Sequence, residues 1–185
     1  MISTNEFRNG SMFEMEGQLV SIVTVEHIKL ARQPAVIKTK LRNVLTGSIF
    51  EQSFKSGEKF RVVRIESNEA TYSYHDGSHY YFMDAKTYDQ VPIDEDMLED
   101  VMPLMKEGST VFIQRYQNRL IGVDLPINVD LKVVSTDPGF KGDTVSGATK
   151  QATLETGATV QVPLFIQSGD VIRVDTRNHS YVERA

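Results

Sequence analysis

The sequence predicts an all-β fold, and three observations carry it. β-Branched and aromatic residues alternate with a period of two along most of the chain. Turn residues separate these runs at short intervals, and no helix pattern alternates with them. The third point disfavours a doubly wound nucleotide-binding fold.

Taken in order, Gln18–Val25 follows a Glu16-Gly17 turn and reads as the first strand. Residues 35–44 alternate from Ile37 onward, with Ile37, Thr39 and Leu41 on one face and Lys38, Lys40 and Arg42 on the other. Thr46-Gly47 turns the chain into a strand over 48–54. Residues 70–74 and 79–83 flank His75-Asp76-Gly77-Ser78, whose Asp-Gly pair is a strong hairpin signal. Asp94 is placed to cap a helix carrying Met97, Leu98, Val101 and Met102 on one side, ended by Pro103. Strands resume over 110–116, 120–125, 129–134, 159–162 and 170–175.

The chain has 185 residues, 40% hydrophobic and 24% charged, ordinary for a folded soluble protein. It contains no cysteine, which excludes disulfides, thiolate metal sites and a cysteine nucleophile. No run approaches the ~20 apolar residues of a membrane span, and the start lacks a signal-peptide pattern, so a cytoplasmic location is expected. The glycines of Gly142-Asp143-Thr144-Val145-Ser146-Gly147 have phosphate-loop spacing, but the lysine such a loop requires is missing. His75 and His79 lack an evident third metal ligand. An ordinary enzyme is not expected, and neither is a metal or cofactor.

The formal charge of −5 conceals a strong asymmetry. Residues 1–64 carry ten Lys/Arg against six Asp/Glu, residues 65–126 four against twelve, and residues 127–185 six against seven. One end is suited to a polyanion, while the middle is either solvated or turned toward basic protein.

A long motif lies in the last third: Lys150-Gln151-Ala152, four residues, then Gly157 through Val162-Pro163, Ile166 and Gly169. Phe7-Arg8 with Gly10, Gly77 with Tyr80, Phe82 and Met83, Asp137-Pro138-Gly139, and Val174-Asp175-Thr176-Arg177 accompany it. With these motifs the sequence resembles the bacterial translation elongation factor P family over its whole length. The resemblance implies three small β-barrel domains in an L-shaped, tRNA-like arrangement. They would be an N-terminal SH3/KOW-like domain over 1–64 and two OB-fold-like barrels over 65–126 and 127–185.

The resemblance also implies a function: binding the ribosome between the peptidyl and exit sites and stimulating peptide-bond formation at consecutive prolines. The partners would be ribosomal RNA, the peptidyl-site tRNA and ribosomal proteins near the exit site, with the chain acting as a monomer and no membrane involved. Arg32 falls on the basic residue at the tip of the first domain. It is the candidate for contact with the peptidyl-transferase centre and for covalent modification by a dedicated enzyme. Leu30, Ala31 and Gln33 replace the proline and glycines usual there, so a rhamnosylated and an unmodified Arg32 both stand as readings. Lys29, Lys38, Lys40 and Arg42 are candidate RNA contacts beside the tip. Gly142, Asp143, Thr144 and Gly147 are candidates near the exit-site codon. Against these stand plainer readings, of a solvated loop charge, a wet strand face and an ordinary turn. A divergent paralogue, or a single-strand RNA-binding barrel acting off the ribosome with Tyr72, Tyr74, Tyr80, Tyr81 and Phe82 as base platforms, is the alternative.

Overall fold

Two-residue alternation becomes three antiparallel sheets laid out in chain order. The computed structural model describes residues 1–28, 35–138 and 148–185. The first sheet contains β1 (Ile2–Ser3), β2 (Met12–Met15), β3 (Gln18–Ile28), β4 (Val36–Asn43), β5 (Ile49–Lys55) and β6 (Lys59–Val62), in the order β1-β6-β2-β3-β4-β5. Its core is phenylalanine-rich. Phe13 and Leu41 are wholly buried, and Phe7 stacks on Phe13 with centroids 4.8 Å apart while Phe54 meets Phe60 edge-on at 5.0 Å. Such pairs contribute beyond the area they bury. Thr4, also fully buried, donates its hydroxyl to the Lys55 carbonyl at 2.9 Å and accepts from the Gly57 N–H at 3.0 Å.

The second sheet contains β7 (Glu66–His75), β8 (Tyr80–Asp84), β9 (Gln90–Ile93), β10 (Thr110–Tyr116) and β11 (Arg119–Asp124), in the order β11-β10-β7-β8-β9. The β7–β8 hairpin closes as the Asp-Gly signal predicts. Asp76 accepts from the Ser78 and His79 N–H groups, both at 2.8 Å, and Gly77 sits at φ +98°, where a side chain would be strained. The third sheet contains β12 (Asn128–Thr136), β13 (Thr149–Leu154), β14 (Thr159–Pro163), β15 (Val171–Asp175) and β16 (Ser180–Arg184), in the order β14-β13-β12-β15-β16.

The helix expected after Asp94 does not form. Two 3-10 turns, Glu95–Met97 and Met102–Leu104, stand there instead. Asp94 makes no capping bond and lies 3.4 Å from His79. The apolar spacing satisfied both readings, but the chain must also deliver Leu98, Val101, Leu104 and Met105 to buried positions, which one straight helix ended by Pro103 does not do. Leu104 joins the core of the third sheet, with Leu131, Val133, Leu154, Ile166 and Ile172. Thr156 donates to the Pro103 carbonyl at 2.6 Å, and Lys106 pairs with Glu155 at 2.9 Å.

By compactness the chain falls into two units. One is Met1–Glu66 with Tyr116–Ile121, the other Ser67–Arg115 with Gly122–Ala185. No helix among the described residues is long and apolar enough to cross a membrane.

Candidate nucleic-acid interface

The lysine face is built by β4. Along Val36–Asn43 exposure alternates residue by residue: Ile37, Thr39, Leu41 and Asn43 are buried, and Lys38, Lys40 and Arg42 are exposed. The period of two forces the three cations onto one surface once Ile37 and Leu41 enter the core. Thr39 can be buried because its hydroxyl donates to the Gln52 carbonyl at 2.9 Å. β3 and β4 form a hairpin, paired from Val20↔Asn43 out to Ile28↔Val36. Lys29 and Arg32 fall between those arms and lie outside the described residues.

Pairing register adds a feature that the sequence reading missed. Glu26 stands opposite Lys38, and Glu51 opposite Lys40, while Arg42 faces Ser21 on one side and Ile49 on the other. Glu26, Lys38, Lys40 and Glu51, together with Thr24, Gln52 and Ser53, line a depression of ≈ 550 Å³. Among the described residues no ion pair within 4 Å ties either lysine to a carboxylate, so both ammonium groups remain available to a phosphate. The face offers donors interleaved with acceptors, not an unbroken basic stripe. The acids of β3 and β5 were visible in the sequence, but only the register puts them across from the lysines.

In the third sheet Gly142, Asp143, Thr144 and Gly147 lie outside the described residues. The flanking strands are well defined. Thr136 pairs with Ala152, the Asp137 N–H donates to the Gln151 carbonyl at 2.9 Å, and the Lys150 ammonium donates to the Thr136 hydroxyl at 3.2 Å.

The long C-terminal motif proves to be largely a folding motif. Ala152, Val160, Val162 and Ile166 are core residues, and Gly157 at φ +87° turns β13 into β14. Asp175 accepts from the Arg177 backbone N–H at 2.9 Å and from its Nε at 3.0 Å, and Thr176 donates to the Pro126 carbonyl at 2.8 Å. The Arg177 side chain, then its backbone N–H, hold the Asp175 carboxyl down at about 2. Asp76 is likewise held at about 2, chiefly by the His79 and Ser78 backbone N–H groups.

Unfolded aspartate titrates near ~3.9, so both carboxylates stabilise the fold fully above that value. The contribution is lost as pH falls through the folded value near 2. Melting temperature should therefore decline from about pH 5 to about pH 2, and Asp175→Asn should flatten that decline. Thermal melts across this range check it, and an unchanged slope in the variant would remove Asp175 from the account.

Of the five aromatics named as base platforms, Tyr72 and Phe82 are buried and Tyr80 is covered by His75, stacked at a centroid distance of 4.1 Å. The off-ribosome reading thus loses most of its surface.

Comparison with known proteins matches all three parts of the chain. Residues 3–60 match a family model described as the elongation factor P KOW-like domain, 65–123 the elongation factor P OB domain, and 129–184 elongation factor P, C-terminal. The elongation factor P of Moorella thermoacetica is 46% identical over 185 residues, covering 100% of both chains. That of Coprothermobacter proteolyticus is 47% identical over 184 residues, covering 100% of this chain and 99% of its own. A solved structure titled eukaryotic translation initiation factor 5A from Methanococcus jannaschii is 15% identical, with a TM-score of 0.48, covering 66% of this chain and 94% of its own.

A KOW-like module followed by an OB module and a C-terminal barrel defines a translation factor of serial small β-modules. The chain belongs to the elongation factor P family. Its members are non-enzymatic factors that relieve ribosome stalling at consecutive prolines.

Proposed function

We propose that this chain, acting in the cytoplasm as a monomer, binds the ribosome between the peptidyl and exit sites and directs Arg32 toward the peptidyl-transferase centre. Three domains over 1–64, 65–126 and 127–185 divide the task, a reading supported by the three sheets and the three family matches. The observation that carries the proposal is the outward row Lys38-Lys40-Arg42 on the strand that leads out of the segment containing Lys29 and Arg32. Phosphate contacts from Lys29, Lys38, Lys40 and Arg42 anchor the domain without reading sequence. Gly142, Asp143, Thr144 and Gly147 serve the exit-site codon, and ribosomal proteins complete the surroundings.

Arg32 has no acceptor and a pKa above ~12, so it does not take a proton from the attacking amine. Its role is to hold the peptidyl-tRNA end in an attack-ready geometry, the kind of orientation that can lower a barrier by several kcal/mol. Proline, a rigid secondary amine, gains most from this. A modifying enzyme that adds rhamnose to Arg32 would lengthen the reach of the tip, and the intact mass of natively expressed protein tests this directly.

Ribosome co-sedimentation tests the anchoring. Binding should weaken by ~0.7–0.9 log units per tenfold rise in salt for each phosphate neutralised. Lys38→Glu with Lys40→Glu should weaken it further, partly because the new acids face Glu26 and Glu51. Lys38→Gln with Lys40→Gln avoids that repulsion and should lower the salt slope by about 1.4–1.8. Binding indifferent to salt and to both pairs of changes would overturn the reading.

A further inference from the structure

The outer face of the second sheet carries a patch that neither its core nor the tip and lysine face account for. Register sets two rungs side by side across β7, β8 and β9: Tyr74↔Tyr81↔Pro92 and Thr71↔Met83↔Gln90. The neighbouring rung Tyr72↔Phe82 points the other way, into the core; alternation along β8 sends Tyr81 and Met83 outward, and a shift of register between Tyr72 and Tyr74 brings Tyr74 to the same face as Tyr81. Tyr74 is 41% exposed and Met83 39%. The Tyr74 and Tyr81 rings stack at 4.7 Å and 16°.

The pair is also held rigid. Tyr81 donates its hydroxyl to Asp76 at 3.0 Å, and Asp76 is itself fixed by two backbone N–H groups. The sheet ends at β9, where Pro92 lacks the N–H that would recruit a further strand. The result is a pre-ordered aromatic ledge, with the outer ring faces of the stacked pair left to a ligand, that is not built for strand addition.

Charge selects the occupant. Residues 65–126 carry twelve acids against four bases, and two of the bases are engaged, Lys106 with Glu155 at 2.9 Å and Arg115 beside Asp84 at 3.9 Å. Asp76 stands at the tip of the hairpin, Asp94 two residues beyond Pro92 and Asp89 just before Gln90. A nucleic-acid strand stacking here would bring phosphates against these carboxylates, and little cation would neutralise them. A guanidinium suits the ledge: its plane stacks on a tyrosine face while its N–H fork meets a carboxylate.

We infer that the Tyr74–Tyr81 ledge is a docking site for an arginine-rich segment of a protein partner. This does not depend on the tip or on the lysine face.

The test uses the full-length protein and three probes of about twelve residues: an alternating Arg-Gly peptide, its Lys-Gly counterpart, and oligouridine. Amide chemical shifts followed by NMR should move at β8, at β9 and around Tyr74 with the arginine peptide, less with the lysine peptide, and not with oligouridine. Tyr74→Ala with Tyr81→Ala leaves the charge unchanged and should weaken arginine-peptide binding roughly fivefold, about 1 kcal/mol. If that pair disturbs the sheet, Met83→Lys sets a cation on the ledge without touching the stack and should weaken binding comparably. Equal affinity in the variants, or shifts confined to the acids of 94–100, would reduce the interaction to diffuse charge and overturn the inference. Oligouridine binding at the same residues would overturn it too.

Discussion

Arg32→Ala is expected to slow synthesis of a Pro-Pro-Pro peptide by roughly tenfold or more relative to the unaltered protein, while a proline-free message is translated at the same rate. The arms β3 and β4 stay paired out to Ile28↔Val36, so the chain between them starts from the far end of a long hairpin. The proposed role asks nothing of the fold, so removing the Arg32 side chain should leave the melting temperature nearly unchanged. The two readouts separate positioning from folding. Arg32→Lys refines the result, because lysine keeps the charge but loses the planar fork and any arginine-specific modification. A reconstituted translation assay decides the matter. Full activity of Arg32→Ala on the proline message would move the role elsewhere, and Lys29 would be tested next.

Leu104→Ala is expected to be among the most damaging single changes to stability. Leu104 is 1% exposed and belongs to the cluster formed by β12 to β15, although it lies in the 3-10 turn that precedes β10. Truncating a leucine in such a place typically costs ~2–5 kcal/mol through lost transfer energy and the cavity left behind. For a chain of this size each kcal/mol lowers the melting temperature by about 2–4 °C, so a fall of roughly 4–20 °C is expected. Leu104→Met preserves the volume and should cost less than ~1.5 kcal/mol. Thermal denaturation followed by circular dichroism measures both. A Leu104→Ala variant as stable as Leu104→Met would show that the barrel closes over the gap. Residues 127–185 expressed alone would lack Leu104 and should melt lower than the same residues in the full chain.

The legible parts of this chain are those where one face had to be buried. The strand over 35–44 could be read because Ile37, Thr39 and Leu41 alternate with Lys38, Lys40 and Arg42, and a shift of one residue would have put the lysines in the core. β13 could not, since Thr149-Lys150-Gln151-Ala152-Thr153-Leu154 offers only Ala152 and Leu154 as inward signals, too few to mark a strand. The turns at 95–97 and 102–104 were read as a helix because Leu98 and Val101 fit a helical spacing as well as a 3-10 one; the burial of Leu104 against β12–β15 is tertiary information. At the candidate site the cations were legible and the carboxylates opposite them were not, because cross-strand register is set by the whole sheet.

That register has a consequence at long range. Seen from more than about a Debye length, ~8 Å at physiological salt, Lys38 with Glu26 and Lys40 with Glu51 behave as dipoles whose fields largely cancel. A loose RNA strand drifting past feels little pull from these two pairs, whereas a phosphate pressed against the face comes within hydrogen-bonding reach of an ammonium group. Arg42, between Ser21 and Ile49, has no such counterweight and contributes its full charge to the approach. Lys38 and Lys40 are therefore quiet at long range and offer their charge only at contact distance, to phosphates that a rigid backbone already holds in place.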